Sequence, residues 1–177
     1  MHIMKTKLPT IILLAVTLSL GAAESTNRLR FPVTRFSIAP LEAPPGQVPQ
    51  QALMMWLPPN EAFAANVNVQ IQPFSGTIEE YTALTLKQFK EHSARLIEQR
   101  GVGTSAVVLE YSGEMQGQSL HWYARAEKSG GHVYLATATT TEQQWPKQAT
   151  QLKACVESLR CQNGEAAAGP NAAPPQR

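Results

Sequence analysis

Residues 66–72 alternate without a fault, with Val67, Val69 and Ile71 on one side and Asn66, Asn68, Gln70 and Gln72 on the other. A period of two predicts a strand with one apolar and one amide face. Residues 118–127 repeat the pattern, setting Leu120, Trp122, Ala124 and Ala126 against His121, Tyr123, Arg125 and Glu127. The polar row then faces outward. The run 106–111 precedes it across a loop of several residues, and Lys128 to Gly131 supplies a turn into 133–140, whose β-branched and aromatic residues suit a pleated surface. Residues 36–41 and 52–57 add two earlier strands around a proline-rich loop at Pro44, Pro45 and Pro49, which makes six.

Two stretches follow the helical period instead. Over 77–96, Ile78, Tyr81, Thr85, Phe89 and Leu96 share a stripe opposite Glu79, Glu80, Lys87, Lys90 and Glu91, and Thr77 with Glu80 has the spacing of a capping box. From Thr141, a second stripe holds Trp145, Ala149, Leu152, Val156 and Leu159, with Thr141 and Gln144 as its cap pair. Pro146 requires that this helix begin a few residues later or bend in its first turn. The order β-β-β-α-β-β-β-α with short links predicts an α+β fold, a largely antiparallel six-stranded sheet flanked by helices.

The two ends change the picture. Lys5 and Lys7 precede an apolar run over 8–20 and the small residues Gly21, Ala22 and Ala23, so residues 1–23 read as a secretory signal peptide. A span would need about 20 apolar residues, and this run has Pro9, Thr10, Thr17 and Ser19 within it. The reading therefore places the mature chain in the periplasm or outside the cell, with no membrane span. Residues 24–35, with Arg28, Arg30 and Arg35, read as an N-terminal linker, 36–161 as one domain, and 162–177 as a disordered tail with alanine as its one apolar residue type.

Composition then removes whole classes of chemistry. All 13 acidic residues are glutamate, so motifs built on aspartate are absent. Losing Lys5 and Lys7 leaves 13 of the 15 basic residues against those 13 acids, and a neutral chain is a poor ligand for phosphate backbones. No nucleic-acid partner is expected. His92, His121 and His132 form no HxxxH or HxH pair and no CxxC occurs, so neither a metal nor another cofactor is expected. No GxSxG elbow presents a serine, and the chain reads as a non-enzyme.

Cys155 and Cys161 would meet an oxidising compartment. In an unbroken helix six residues rise about 9 Å, beyond the roughly 7 Å reach of a disulfide. A bridge forms if the helix ends near Leu159; otherwise Cys155 is a small core residue and Cys161 an exposed thiol. For recognition, the amide row Asn66, Asn68, Gln70 and Gln72 and the polar row His121, Tyr123 and Arg125 are the candidates, while Trp56, Trp122 and Trp145 read as core fillers beside apolar rows.

The stretches MWLPPNEAFAANVNVQIQPFSGTIEEY (55–81), GEMQGQSLHWYARAEKSGGHVYLATATTTEQQW (113–145) and LKACVESL (152–159) resemble the PsbP-like superfamily, which includes extrinsic photosystem II subunits, Mog-type Ran-binding factors and bacterial DcrB-type envelope proteins. The resemblance implies an α/β/α sandwich and a non-catalytic binding or assembly role; it carries no catalytic residues over. The expectation is an exported, non-enzymatic binding or assembly protein whose partner is an envelope protein or a small ligand. The alternative is a carrier of a small apolar or amphipathic ligand between sheet and helices, since residues 52–57 are apolar on both faces.

Overall fold

The computed structural model describes residues 29–31, 35–38, 46–60 and 63–161. The stretches read as a signal peptide, 1–23, and as a disordered tail, 162–177, lie outside the described residues. The chain divides into two compact units, residues 1–43 and 44–177. In the first, β1 (Leu29–Phe31) pairs antiparallel with β2 (Phe36–Ile38) as a two-stranded sheet. Thus β2 is not part of the main sheet, and part of the stretch read as a linker is a strand.

The second unit holds the six-stranded antiparallel sheet, in the order β3-β4-β8-β7-β6-β5. Its strands are β3 (Gln50–Trp56), β4 (Asn66–Pro73), β5 (Arg95–Val102), β6 (Ala106–Met115), β7 (Gln118–Ser129) and β8 (His132–Thr141). Helices α1 (Ile78–Glu91) and α2 (Trp145–Glu157) complete it. No helix among the described residues is long and apolar enough to cross a membrane.

The capping box forms at α1 as its spacing requires: Thr77 accepts from the Glu80 amide at 3.3 Å, and the Thr77 amide donates to Glu80 at 2.8 Å. The other end falls earlier than the stripe implied. The helix stops at Glu91, Ser93 turns the chain with φ 54°, and Arg95 to Val102 form edge strand β5. This strand takes the place expected for residues 36–41. A β-bulge between Leu96 and Glu98 leaves Leu96 and Ile97 exposed on its edge.

The β6–β7 connection is tighter than expected. Met115 pairs with Gln118, and Gln116 and Gly117 both adopt positive φ, 53° and 76°, which is the geometry of a two-residue hairpin matched to strand twist. At α2, Pro146 lies in the first turn, where its missing N–H breaks no bond. The helix begins after the Thr141–Gln144 pair, with the Thr141 hydroxyl accepting from the Gln144 amide at 3.2 Å.

The two sheet faces bury different cores. Val67, Val108, Tyr123, Ala136 and Ala138 pack with Leu152 and Val156 of α2, joined by Met55, Val69 and Trp145. On the opposite face Val107, Leu109, Ala126 and Val133 pack with Ile78 of α1, joined by Phe74, Tyr81, Leu86, Phe89 and Tyr111. Each fully buried aliphatic side chain stabilises by about 1.5–3 kcal/mol. Helix α2 packs on β4, β7 and β8, and α1 on β5, β6 and β7. Helix α1 makes no close backbone approach to β3 or β4, but Ile78 and Tyr81 share a core cluster with Val133 and Leu135 of β8, and the Tyr81 hydroxyl reaches Gln72 of β4.

Candidate functional site

Strand alternation sends His121, Tyr123 and Arg125 to the α2 face, together with Glu110 and Ser112 of β6. The polar row expected outside is inside: His121 is 3% exposed, Tyr123 1% and Arg125 9%. A central strand is covered on both faces, so polarity alone does not mark its outer side.

These residues satisfy one another. His121 lies between two carboxylates, with Nε2 3.0 Å from Glu110 Oε1 and Nδ1 3.1 Å from Glu142 Oε2. The other oxygen of Glu110 accepts from Lys153 Nζ of α2 at 2.6 Å. Trp145 of α2 stacks on the imidazole, with ring centroids 3.9 Å apart and planes at 18°. A second cluster lies farther along the helix. Arg100 of β5 donates to Glu157 at 2.9 Å, and the Tyr123 hydroxyl donates to the same oxygen. Arg125 donates to Glu127 at 2.8 Å, and the Glu127 carboxylate also receives the Cys161 amide at 3.0 Å.

Charge placement sets the titration of these groups. Burial works against ionisation of Glu142, yet hydrogen bonds from His121 and Ser112 and the charges of His121 and Arg95 hold its carboxyl below the usual range. The hydrogen bond from Tyr123, aided against burial by Arg100 and Lys153, lowers that of Glu157. Burial, with Glu157 adding to it, pushes the Tyr123 hydroxyl up to about 12. Both His121 nitrogens are engaged by carboxylates, so neither is turned to a serine hydroxyl. Ser112 is bonded by Arg95 and Ser119 donates to Glu114. The cluster fastens α2 to the sheet.

The amide row takes the other face. Asn66, Asn68, Gln70 and Gln72 alternate with the α2-facing valines, and Gln72 accepts from the Tyr81 hydroxyl of α1 at 2.9 Å while donating to Gln70 at 3.0 Å. In register beside them on β3 are Trp56 opposite Asn66, Met54 opposite Asn68 and Gln51 opposite Gln70. On β8 their neighbours are Thr139, Thr137 and Leu135. None of these side chains is charged, and Trp56 is 59% exposed. The expectation that Trp56 fills the core is corrected: it ends edge strand β3, where a side chain has a neighbouring strand on one side only. Trp122 and Trp145 are in core contacts, and Asn66 is itself buried.

Cys155 and Cys161 are free thiols, both half-buried. Helix α2 ends at Glu157, with Ser158 as its C-cap. Among the described residues no group of three or more His, Cys or Glu side chains is arranged to hold a metal ion. Between helix and sheet, a cavity of about 280 Å³ lies at Thr82 and Leu86 of α1 and Gln99 and Val107 of the sheet. A cavity of about 160 Å³ lies between α2 and the β3–β4 edge, at Met55, Leu57, Leu152 and Cys155. Two others, of about 280 and 240 Å³, open at the corner where α1 turns into β5.

No known family model and no curated protein matches this sequence. Solved structures do. A protein of unknown function from Pseudomonas aeruginosa, described as a candidate regulator, is 19% identical over 78% of this chain and 98% of its own, with a TM-score of 0.58. At that identity the likeness shows the fold alone. The cyanobacterial PsbP of Synechocystis sp. PCC 6803 is 17% identical over 68% of this chain and 97% of its own, with a TM-score of 0.41, too low to argue from.

Proposed function

We propose that this chain is an exported, non-enzymatic binding or assembly protein of the PsbP-like kind, working in the periplasm or outside the cell. Its recognition surface is the uncharged face of β3 and β4. The observation that carries the reading is the exposed indole of Trp56 at the end of an amide row whose middle members, Asn68 and Gln70, are half-buried and make no contact with either helix. Amides donate and accept, and tryptophan presents a large apolar area at low conformational cost, a pairing that favours a neutral partner surface. The engagement of both His121 nitrogens supports the non-catalytic half of the reading.

The expected partner is another envelope protein. Binding through an uncharged patch is governed by burial and hydrogen bonding, so it should weaken little between low and high salt. Affinity capture from envelope extract tests this: wild-type protein retains a partner at about 0.5 M salt, and a Trp56→Ala, Asn68→Ala double variant loses it. Recovery of nothing above background, or equal recovery by the variant, would contradict the reading. The carrier alternative has less support, because the cavities between helices and sheet, about 280 Å³ at α1 and about 160 Å³ at α2, fall below the roughly 300 Å³ at which ordinary ligand pockets begin.

A further inference from the structure

Strand β5 ends the main sheet on the side away from β3, and among the described residues no strand pairs with its outer edge. A row of unpaired amides and carbonyls is a template for another strand, and edges are commonly blunted by charge or irregularity. Here the bulge falls early, between Leu96 and Glu98, and pairing with β6 is regular from Glu98 to Val102. The edge is also apolar: Leu96 is 39% exposed and Ile97 44%.

Run antiparallel about Gln99, this strand is complementary to a second copy of itself. Glu98 falls opposite Arg100 of the second copy and Arg100 opposite its Glu98, both on the α2 side, where Arg100 already donates to Glu157 at 2.9 Å. Opposite charges directly across a pair stabilise it, and like charges there destabilise it. Centring on Arg100 would oppose two arginines and centring on Glu98 two glutamates, so charge selects the register at Gln99. A guanidinium has five donors, which leaves Arg100 able to serve both carboxylates.

The same register fits the α1 side. Gln99 and Gly101 line the cavity of about 280 Å³ at Thr82 and Leu86, and alternation puts Ile97 on their side of the strand. Ile97 then falls opposite Gly101 of the second copy, where a built Cβ would meet nothing within 4 Å. An exposed isoleucine thus lies over a bare glycine at the edge of a partly apolar cavity, twice across one two-fold axis. We infer that the protein forms a two-fold dimer through β5, joining two six-stranded sheets into one of twelve strands. The recognition face beside Trp56 lies toward the other edge of the sheet and does not enter this inference.

Light scattering of the full mature chain at about 0.1 mM, as it elutes from a sizing column, tests this. Wild type should show twice the chain mass. Ile97→Lys should show the chain mass alone with an unchanged far-ultraviolet spectrum, because a lysine on an edge resists pairing. Gln99→Cys, in a chain whose Cys155 and Cys161 are alanine, sets two thiols across the two-fold, where opposed Cα atoms are about 4.5–5.5 Å apart and within disulfide reach. Oxidation should link that variant into a dimer, while Gln118→Cys at the β6–β7 hairpin stays unlinked. A monomeric wild type, which would leave the edge to a different chain, an I97K protein that remains dimeric, or an unlinked Q99C protein would each overturn the inference.

Discussion

Trp145 lies flat on His121, 3.9 Å between centroids, and so closes the one side of the imidazole plane that faces α2. The ring is also held in its plane by Glu110 and Glu142. A charged cluster enclosed by an aromatic ring makes helix docking depend on polar pairing as much as on Leu152 and Val156. Removing His121 leaves the buried Glu110 one hydrogen bond short, with Lys153 still paired to it, which costs about 1–3 kcal/mol. His121→Leu should therefore lower unfolding stability in urea by that order, and His121→Leu with Glu110→Leu by less than the single change. A single-variant cost under about 1 kcal/mol would show that the cluster is solvated.

Acid should loosen the same face. Glu127, Glu142 and Glu157 have folded values below the ordinary 4.5. Groups depressed by folding add stability above their unfolded value, and lose it as pH falls through the folded one. The thermal midpoint should drop steeply below pH 4.5, and Glu142→Gln should be less steep there than wild type. Identical acid limbs in the two proteins would count against the assignment.

The thiols should be slow to react. Burial raises Cys155, and burial with Glu127 beside it pushes Cys161 up to about 11. The thiolate is the reactive form, so at pH 8 both are overwhelmingly protonated in the folded chain. Iodoacetamide should label native protein far more slowly than protein in denaturant, where two thiols should be counted. A count near zero without reductant would mean that Cys155 and Cys161 are bridged.

At the start of α1, Thr77→Ala removes the side-chain half of the capping box. It should cost about 1 kcal/mol in urea unfolding, with Thr77→Ser close to neutral. Loss of less than a few tenths would mean that the Glu80 contact to the Thr77 amide carries the cap alone.

Local signals were the ones legible in the sequence. The alternation over 66–72 and the Thr77–Glu80 spacing became β4 and the capping box. Strand β5 was hidden because RLIEQRGV is an edge strand with a bulge, so its apolar residues do not alternate. The α1 stop was hidden too, since Ser93 rather than glycine takes the positive φ. The side on which His121 and Tyr123 fall was unreadable because their partners, Glu110 of β6, Glu142 of the turn before α2, and Lys153 and Glu157 of α2, come from elsewhere in the chain. One local sign did exist: Glu110 interrupts the apolar run 106–111, and a lone charge in a buried strand calls for a partner.

Partner recognition is proposed for the amide face beside Trp56. Site-specific photocrosslinking in intact cells tests it most directly, with the probe at Asn68, at Gln70 or, as a control, at Lys147 on the exposed start of α2. One discrete crosslinked partner is expected from Asn68 and Gln70 and none from Lys147. Crosslinks from Lys147 alone, or none from the amide row, would contradict it.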